Sequence, residues 1–334
     1  MDMKKWLCEC AESKKPLPIL SYPAVSLVGA SVKDAVTDSG IQAKIIKAVA
    51  DRCDAAASVT VMDLSVEAEC FGAEIAFGDF TVPAVSGTLI ASAEDAEALK
   101  IPAIGSARSG IFIDAVKKAK QLVTDRPVLA GAAAPFSLAG RLMDVTEIMF
   151  WCFDDPDTVK CVLKKCTAFL IDYVKALRDA GADGVILAEP VAGLLSPSLE
   201  EEFSAPYTKQ LAEAVRSDSF AVIYHNCGQG VMNMTDSIFA NGCDAYHFGN
   251  ACDICELLKR SPEGKPVMGN IDPVGLFKDG TPEKMKAEVT KLLEKCSDFS
   301  NFVLSSGCDI PYNAKWENID AFFEASKEFY EDRK

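Results

Sequence analysis

From residue 58 onward, short apolar runs alternate with longer stretches whose apolar residues return every third or fourth position. The first pattern marks strands buried on both faces, the second amphipathic helices. Residues 58–64, 128–134, 184–188, 220–225, 244–248, 267–270 and 302–308 are expected as strands, and residues 24–29 as a first strand before them. Between them, residues 42–53, 111–123, 157–180, 198–215, 254–260 and 281–296 are expected as helices, with 318–330 closing the chain. The stretch 157–180 is the clearest helix and stops at Gly181; Thr281 and Pro282 supply an N-cap and a first helical position. Residues 72–86, with Gly78 and Pro83, are expected as an irregular excursion, and residues 1–20 as a short helical extension ending in a loop stiffened by Pro16 and Pro18.

About eight strands alternating with helices are the signature of parallel βα units with right-handed crossovers. The polar residues with chemical potential, Glu189, His225, Cys227, Asn270, Asp272 and Cys308, all stand at C-terminal ends of these strands. That face carries the active site in a (β/α)8 barrel. A doubly wound open sheet would need an early glycine-rich phosphate loop, and no G-x-G-x-x-G follows a first strand. The expectation is a single α/β domain over 1–334, a (β/α)8 TIM barrel with an N-terminal extension.

Composition narrows the function classes. With 49% hydrophobic and 25% charged residues the chain has the make-up of a globular protein with a large core. A net charge of −15 argues against nucleic-acid binding and offers no basic face to anionic lipid. No apolar run reaches the ~18 residues of a membrane span. The start Met-Asp-Met-Lys-Lys-Trp lacks a signal-peptide core, so a cytoplasmic location is expected. Thirteen irregularly spaced cysteines do not suggest a disulfide scaffold, and most are expected to be small buried hydrophobes.

The sharpest chemical signal is Tyr224-His225-Asn226-Cys227-Gly228, where an apolar strand hands over to a loop. Residues i and i+2 of an extended chain face the same way, so an imidazole and a thiol can converge on one ion. Cys308, preceded by Gly307, brings a second thiol just past another strand. Two thiolates and one imidazole suit zinc, and three protein ligands leave a fourth position open. The rival cluster, Cys252-Asp253-Ile254-Cys255 near Cys243 and His247, enters a helix and has no second C-x-x-C; His247, mid-strand between Tyr246 and Phe248, reads as a core histidine with a satisfied hydrogen bond. Glu189 follows a wholly apolar strand. It is a fourth ligand displaced by substrate, an acceptor behind the ligands, or a helix cap. Asn270 and Asp272 are open to two readings, cofactor orientation or capping of the next helix. Arg108 and Arg141 are candidates for an anionic substrate tail or for salt bridges.

A thiolate-rich zinc site suits ionising a substrate thiol. A free thiol with a pKa of about 8.5 is only ~3% thiolate at pH 7, so full ionisation is worth roughly 30-fold, or about 2 kcal/mol. Holding the sulfur in line with an electrophile is worth more, roughly 7–11 kcal/mol. Alkyl transfer to sulfur is the chemistry this set points to.

The H-x-C…C pattern resembles the methylcobamide:coenzyme M methyltransferase branch of the uroporphyrinogen decarboxylase superfamily. Further similar stretches are Asp63-Leu64-Ser65-Val66-Glu67, Leu187-Ala188-Glu189-Pro190, Gly269-Asn270-Ile271-Asp272-Pro273 and Ser306-Gly307-Cys308-Asp309. The resemblance implies a (β/α)8 barrel with zinc on His225, Cys227 and Cys308. It implies methyl transfer from a methylcorrinoid, carried by a corrinoid-binding protein, to a thiol acceptor such as coenzyme M. Members of the superfamily also use folate, methoxyaromatic or methylamine substrates. The arginine-rich N-terminal motif of true decarboxylases is missing, since residues 1–40 hold no arginine. A metal-independent decarboxylase-type lyase and a non-catalytic corrinoid-protein partner remain as rival expectations.

Overall fold

The computed structural model describes residues 1–333. Its strands are β1 (Ser58–Val59), β2 (Glu74–Gly78), β3 (Thr81–Ser86), β4 (Val128–Ala133), β5 (Gly184–Ala188), β6 (Ala221–Asn226), β7 (Ala245–Phe248), β8 (Val267–Ile271) and β9 (Phe302–Ser306). Seven of them form one all-parallel sheet in the order β1-β4-β5-β6-β7-β8-β9, and β2 and β3 pair antiparallel apart from it. Residues 16–20 run between the two edges of this sheet. Leu17 N donates to Leu304 O of β9 (2.9 Å), and Ala56 N, just before β1, donates to Pro16 O (2.9 Å).

Alternation along the strands divides the apolar residues between two cores. Val59, Leu129, Ile186, Ala188, Ala221, Ile223, Ala245, Met268 and Val303 gather on one face of the sheet. Their sequence neighbours Val185, Leu187, Val222, Tyr224, Tyr246 and Phe248 pack on the other, against the helices. By the same alternation His225 and His247, which pair in register across β6 and β7, share a face with Ile223 and Ala245. The helix Met3–Ser13 adds Met3, Leu7, Cys10 and Ala11 to the first core, joined by Leu17 and Ile19. Its position is set by Met3 N donating to Asp218 O, in the segment before β6 (2.7 Å). The N-terminal segment is therefore built into the core at the N-terminal end of the strands.

Helix Pro156–Asp179 lies over 157–180 as expected. Asp155 caps it, Pro156 occupies its first turn, and Val159, Val162, Leu163, Cys166, Phe169, Leu170, Tyr173, Val174 and Leu177 form its buried stripe. Helix Pro282–Cys296 starts at the Thr281 cap as read from the chain. Residues 24–29 do not form a strand. They fold as the turns Tyr22–Ala24 and Val25–Val28, because Pro23 favours a helical first turn and Gly29, at φ 67°, closes it. The helix expected over 198–215 is two, Pro197–Phe203 and Ala205–Val215. Pro206 has no N–H to continue the first helix and is tolerated only in the opening turn of a second. The stretch 72–86 holds a β-hairpin of β2 and β3 with an Asp79-Phe80 loop and a register shift between Ala76 and Gly78. No helix among the described residues is long and apolar enough to cross a membrane.

Candidate metal centre

β6 carries His225 into its last turn of backbone, and Cys227 follows one residue past the strand end. Cys308 stands two residues past β9. With two strands, β7 and β8, between them in the sheet, these ends converge. The ligand atoms of His225, Cys227 and Cys308 lie within 4.8 Å of one another, with Cys308 Sγ 3.5 Å from His225 Nε2. Among the described residues this is the one group of three or more His, Cys, Asp and Glu side chains close enough to hold a metal ion. An imidazole nitrogen and two sulfurs from separate loops fit a tetrahedral zinc site with one place left for substrate.

The approach depends on backbone contacts only glycine allows. A β-carbon on Gly228 would meet Gly193 Cα at 2.5 Å, and one on Gly249 would meet Cys227 at 2.6 Å. Gly228 sits at φ −73°, so its role is close packing rather than a left-handed turn. The electrostatics favour a preformed anion. A hydrogen bond from Cys308, with help from His225, pulls the Cys227 thiol down to about 4 against the opposing effect of burial. Cys308 moves the other way, raised by its bond to Cys227 and by burial.

The three donors border a cavity of about 190 Å³, walled by Met62, Leu64, Val82, Pro83 and Pro190 and polar at Arg141 and Asp309. Val82 and Pro83 come from the hairpin, which does lie over the strand ends. Arg141 Nε and Asp309 Oδ1 are buried without a hydrogen-bond partner among the described residues. Burial holds the Asp309 carboxyl well above its ordinary range.

The family model for uroporphyrinogen decarboxylase (URO-D) matches residues 19–329. The chain belongs to the URO-D family. Within it, the chain is 27% identical over 272 residues to the methylcobamide:CoM methyltransferase MtbA of Methanosarcina acetivorans, covering 80% of this chain and 78% of that one. It is 28% identical over 284 residues to the uroporphyrinogen decarboxylase of Coxiella burnetii, covering 82% and 77%. A solved methyltransferase from Methanosarcina mazei superposes with a TM-score of 0.86 at 25% identity, over 99% of both chains. URO-D membership thus spans two chemistries at nearly equal identity, and the site must separate them.

Glu189 lies beside the cluster, with its N–H donating to His225 O (2.8 Å), but its side chain turns away. Both carboxyl oxygens accept backbone N–H groups at the start of helix Pro135–Met143, from Phe136 (3.1 Å) and Ser137. Full burial pushes this carboxyl up to about 7 despite those bonds. Asn270 Nδ2 donates to Gly249 O (2.9 Å) and Cys252 O (2.8 Å), tying down the loop that packs on Cys227. Asp272 caps Pro273–Lys278 through Val274 N and Gly275 N. Both residues line a different cavity from the thiols. Arg108 is tied to Asp63 and to Glu69 (2.6 Å) in a buried ion-pair network, whereas Arg141 faces the URO-D cavity. The C-x-x-C residues diverge: Cys252 donates to Gly228 O (3.8 Å), while Cys255 meets Cys296 at 2.7 Å. Two contacts went unread in the sequence. Asp309 borders the cavity next to Cys308, and His247 bonds His225 directly, Nδ1 to Nδ1, at 2.8 Å. The signal for the second was present, since equal strand phase puts both imidazoles on one face.

Proposed function

We propose that this chain is a zinc-dependent methyltransferase that moves a methyl group from a methylcorrinoid, delivered by a corrinoid-binding protein, to a small thiol. The observation that carries the reading is the His225–Cys227–Cys308 group opening onto a cavity with mostly apolar walls. Zinc on His225 Nε2, Cys227 Sγ and Cys308 Sγ would supply a Lewis-acidic position at which an incoming thiol loses its proton. The chain's own residues do the rest. Met62, Leu64, Val82 and Pro190 line the cavity with carbon, which lowers the local dielectric and strengthens the field acting on a bound sulfur anion. Arg141, buried with an unpaired Nε, offers charge-assisted hydrogen bonds to an anionic group on the acceptor. In the transfer a sulfur lone pair forms the new S–CH3 bond, and the electron pair of the cobalt–carbon bond stays on cobalt.

The fold reading that accompanies this is a closed barrel with residues 16–20 in the eighth position. It is supported by their backbone bonds to β9 at Leu304 and to Ala56 in the segment leading into β1. The decarboxylase reading fits poorly. Pockets that bury drug-sized ligands run to ~300–1,000 Å³, and a cavity of about 190 Å³ is small for a porphyrinogen. Glu189 is assigned to holding the β5 loop beside the ligands through helix Pro135–Met143, and Asn270 and Asp272 to fastening the neighbouring loops. The test is metal analysis combined with methylcobalamin demethylation over a panel of thiols and tetrahydrofolate. About one zinc per chain, with thiol-dependent demethylation that Cys308→Ser abolishes, is the expected result. A fully active metal-free protein, or conversion of uroporphyrinogen by it, would end the proposal.

A further inference from the structure

We propose that His247 is the positioning residue that dictates which nitrogen of His225 faces the two thiols. It does so as the middle of a one-way hydrogen-bond chain anchored on the backbone of the N-terminal segment. The chain runs from Leu17 O to Ser305 Oγ (2.6 Å), from Ser305 Oγ to His247 Nε2 (2.7 Å), and from His247 Nδ1 to His225 Nδ1 (2.8 Å). All three side chains are buried: Ser305 0%, His247 0% and His225 2% exposed.

Each link's direction follows from the one before it. A carbonyl oxygen only accepts, so the Ser305 hydroxyl proton points at Leu17 O. With that proton committed, Ser305 Oγ accepts from His247, whose Nε2 therefore carries the hydrogen. A fully buried imidazole with no carboxylate bonded to it is neutral and carries one N–H, which leaves His247 Nδ1 as a lone pair. His225 must then donate from Nδ1. That leaves Nε2, the atom 3.5 Å from Cys308 Sγ, as the nitrogen turned toward the thiols. The tautomer suited to a metal ligand is thus built in by a backbone carbonyl three links away. Ligating histidines generally depend on such a partner for orientation and basicity. Here the partner is a second histidine whose own proton is steered from residue 17.

The consequence for metal binding rests on the zinc reading above; the tautomer does not. Nitrogen-15 NMR of the full chain, histidine-labelled and metal-free, is expected to show His225 protonated on Nδ1 and His247 on Nε2. A proton on His225 Nε2 with none on Nδ1 would overturn the proposal. Zinc affinity, read by competition with a chromogenic chelator, gives the second readout. His247→Phe keeps the ring volume and removes the acceptor, and its zinc dissociation constant should rise about 10–100-fold. His247→Asn keeps an acceptor oxygen near the Nδ1 position and should stay within several-fold of the parent. Equal affinity in the parent, the Phe and the Asn variants would also overturn it. A parent chain that takes up no zinc would count against the metal reading alone, because the NMR spectrum decides the tautomer by itself.

Discussion

The two ends of the strands solve opposite problems with the same interior. At the N-terminal end, helix Met3–Ser13 drives Met3, Leu7, Cys10 and Ala11 into the apolar cluster that lines the strands. At the C-terminal end, the same inward-facing positions become His225, His247 and Ser305, with Cys227, Cys308, Arg141 and Asp309 around them. One end is closed by burial of carbon; the other keeps buried polar atoms without protein partners. Unpartnered buried polar groups cost stability, so Arg141 Nε and Asp309 Oδ1, which border the cavity, mark a place where the fold gives up stability for chemistry.

Substitutions at the two ends should therefore fail in different ways. The largest effect belongs to Cys308→Ser. It should release the metal and lower methyl transfer by on the order of 10³-fold, the several kcal/mol that a Lewis-acidic ion supplies. Thermal unfolding should change little, and a variant that keeps its zinc and its rate would erase the distinction between the ends. Next comes Leu7→Ala at the closed end. Its cavity should cost about 3 kcal/mol in denaturant unfolding, with full zinc stoichiometry in the folded fraction. Loss of metal without loss of stability there would mean that the plug and the site are not separate.

A smaller effect is expected of Arg141→Leu. With an anionic thiol kcat/KM should fall about 10–100-fold, corresponding to a lost hydrogen bond to a charged group. A neutral thiol should react nearly as before, and equal losses for both would remove Arg141 from substrate recognition. The mildest test is pH. Burial raises the Glu67 carboxyl from 4.5 to about 7. Across that window the folded chain holds a proton the unfolded chain has lost, so this group's contribution is full below 4.5 and fades as pH rises toward 7. Glu67→Gln, which keeps an acceptor for Ala133 N and puts an amide where Oε2 has no partner, should flatten that decline. The change in slope should be on the order of 1 kcal/mol per pH unit, measured as unfolding free energy between pH 4.5 and 7; an unchanged slope would show that Glu67 is ionised throughout.

Much of the site was legible because it is written in strand periodicity. His225 and Cys227 are two residues apart at a strand end, and Cys308 follows a strand of the same kind, so their shared face could be read before any coordinates. His247 obeys the same periodicity and is the hydrogen-bonded core histidine expected, but residue type and phase did not reveal that its partner on the next strand is His225. Glu189 had three readings. Both its oxygens meet the N–H groups of a helix 52 and 53 residues away in the chain, a pairing that no local pattern contains. The turns at residues 22–28 and the break at Ser204 were missed where Pro and Gly override an apolar run. Residues 16–20, taken for the tail of an extension, bond to β9 and to the segment leading into β1 and supply the carbonyl that orients the histidine pair.

By itself, then, the sequence determined the alternation of strands and helices, the end of the strands that would carry chemistry, and the three donors suited to a soft divalent ion. Each of these depends on spacing along a few residues, which the backbone converts directly into direction. Only the tertiary structure decided which of two arginines is spent on an ion pair and which faces the cavity, where the glutamate points, and which nitrogen of His225 is free. Those outcomes depend on partners tens or hundreds of residues away, brought within hydrogen-bonding distance by packing that no local pattern encodes.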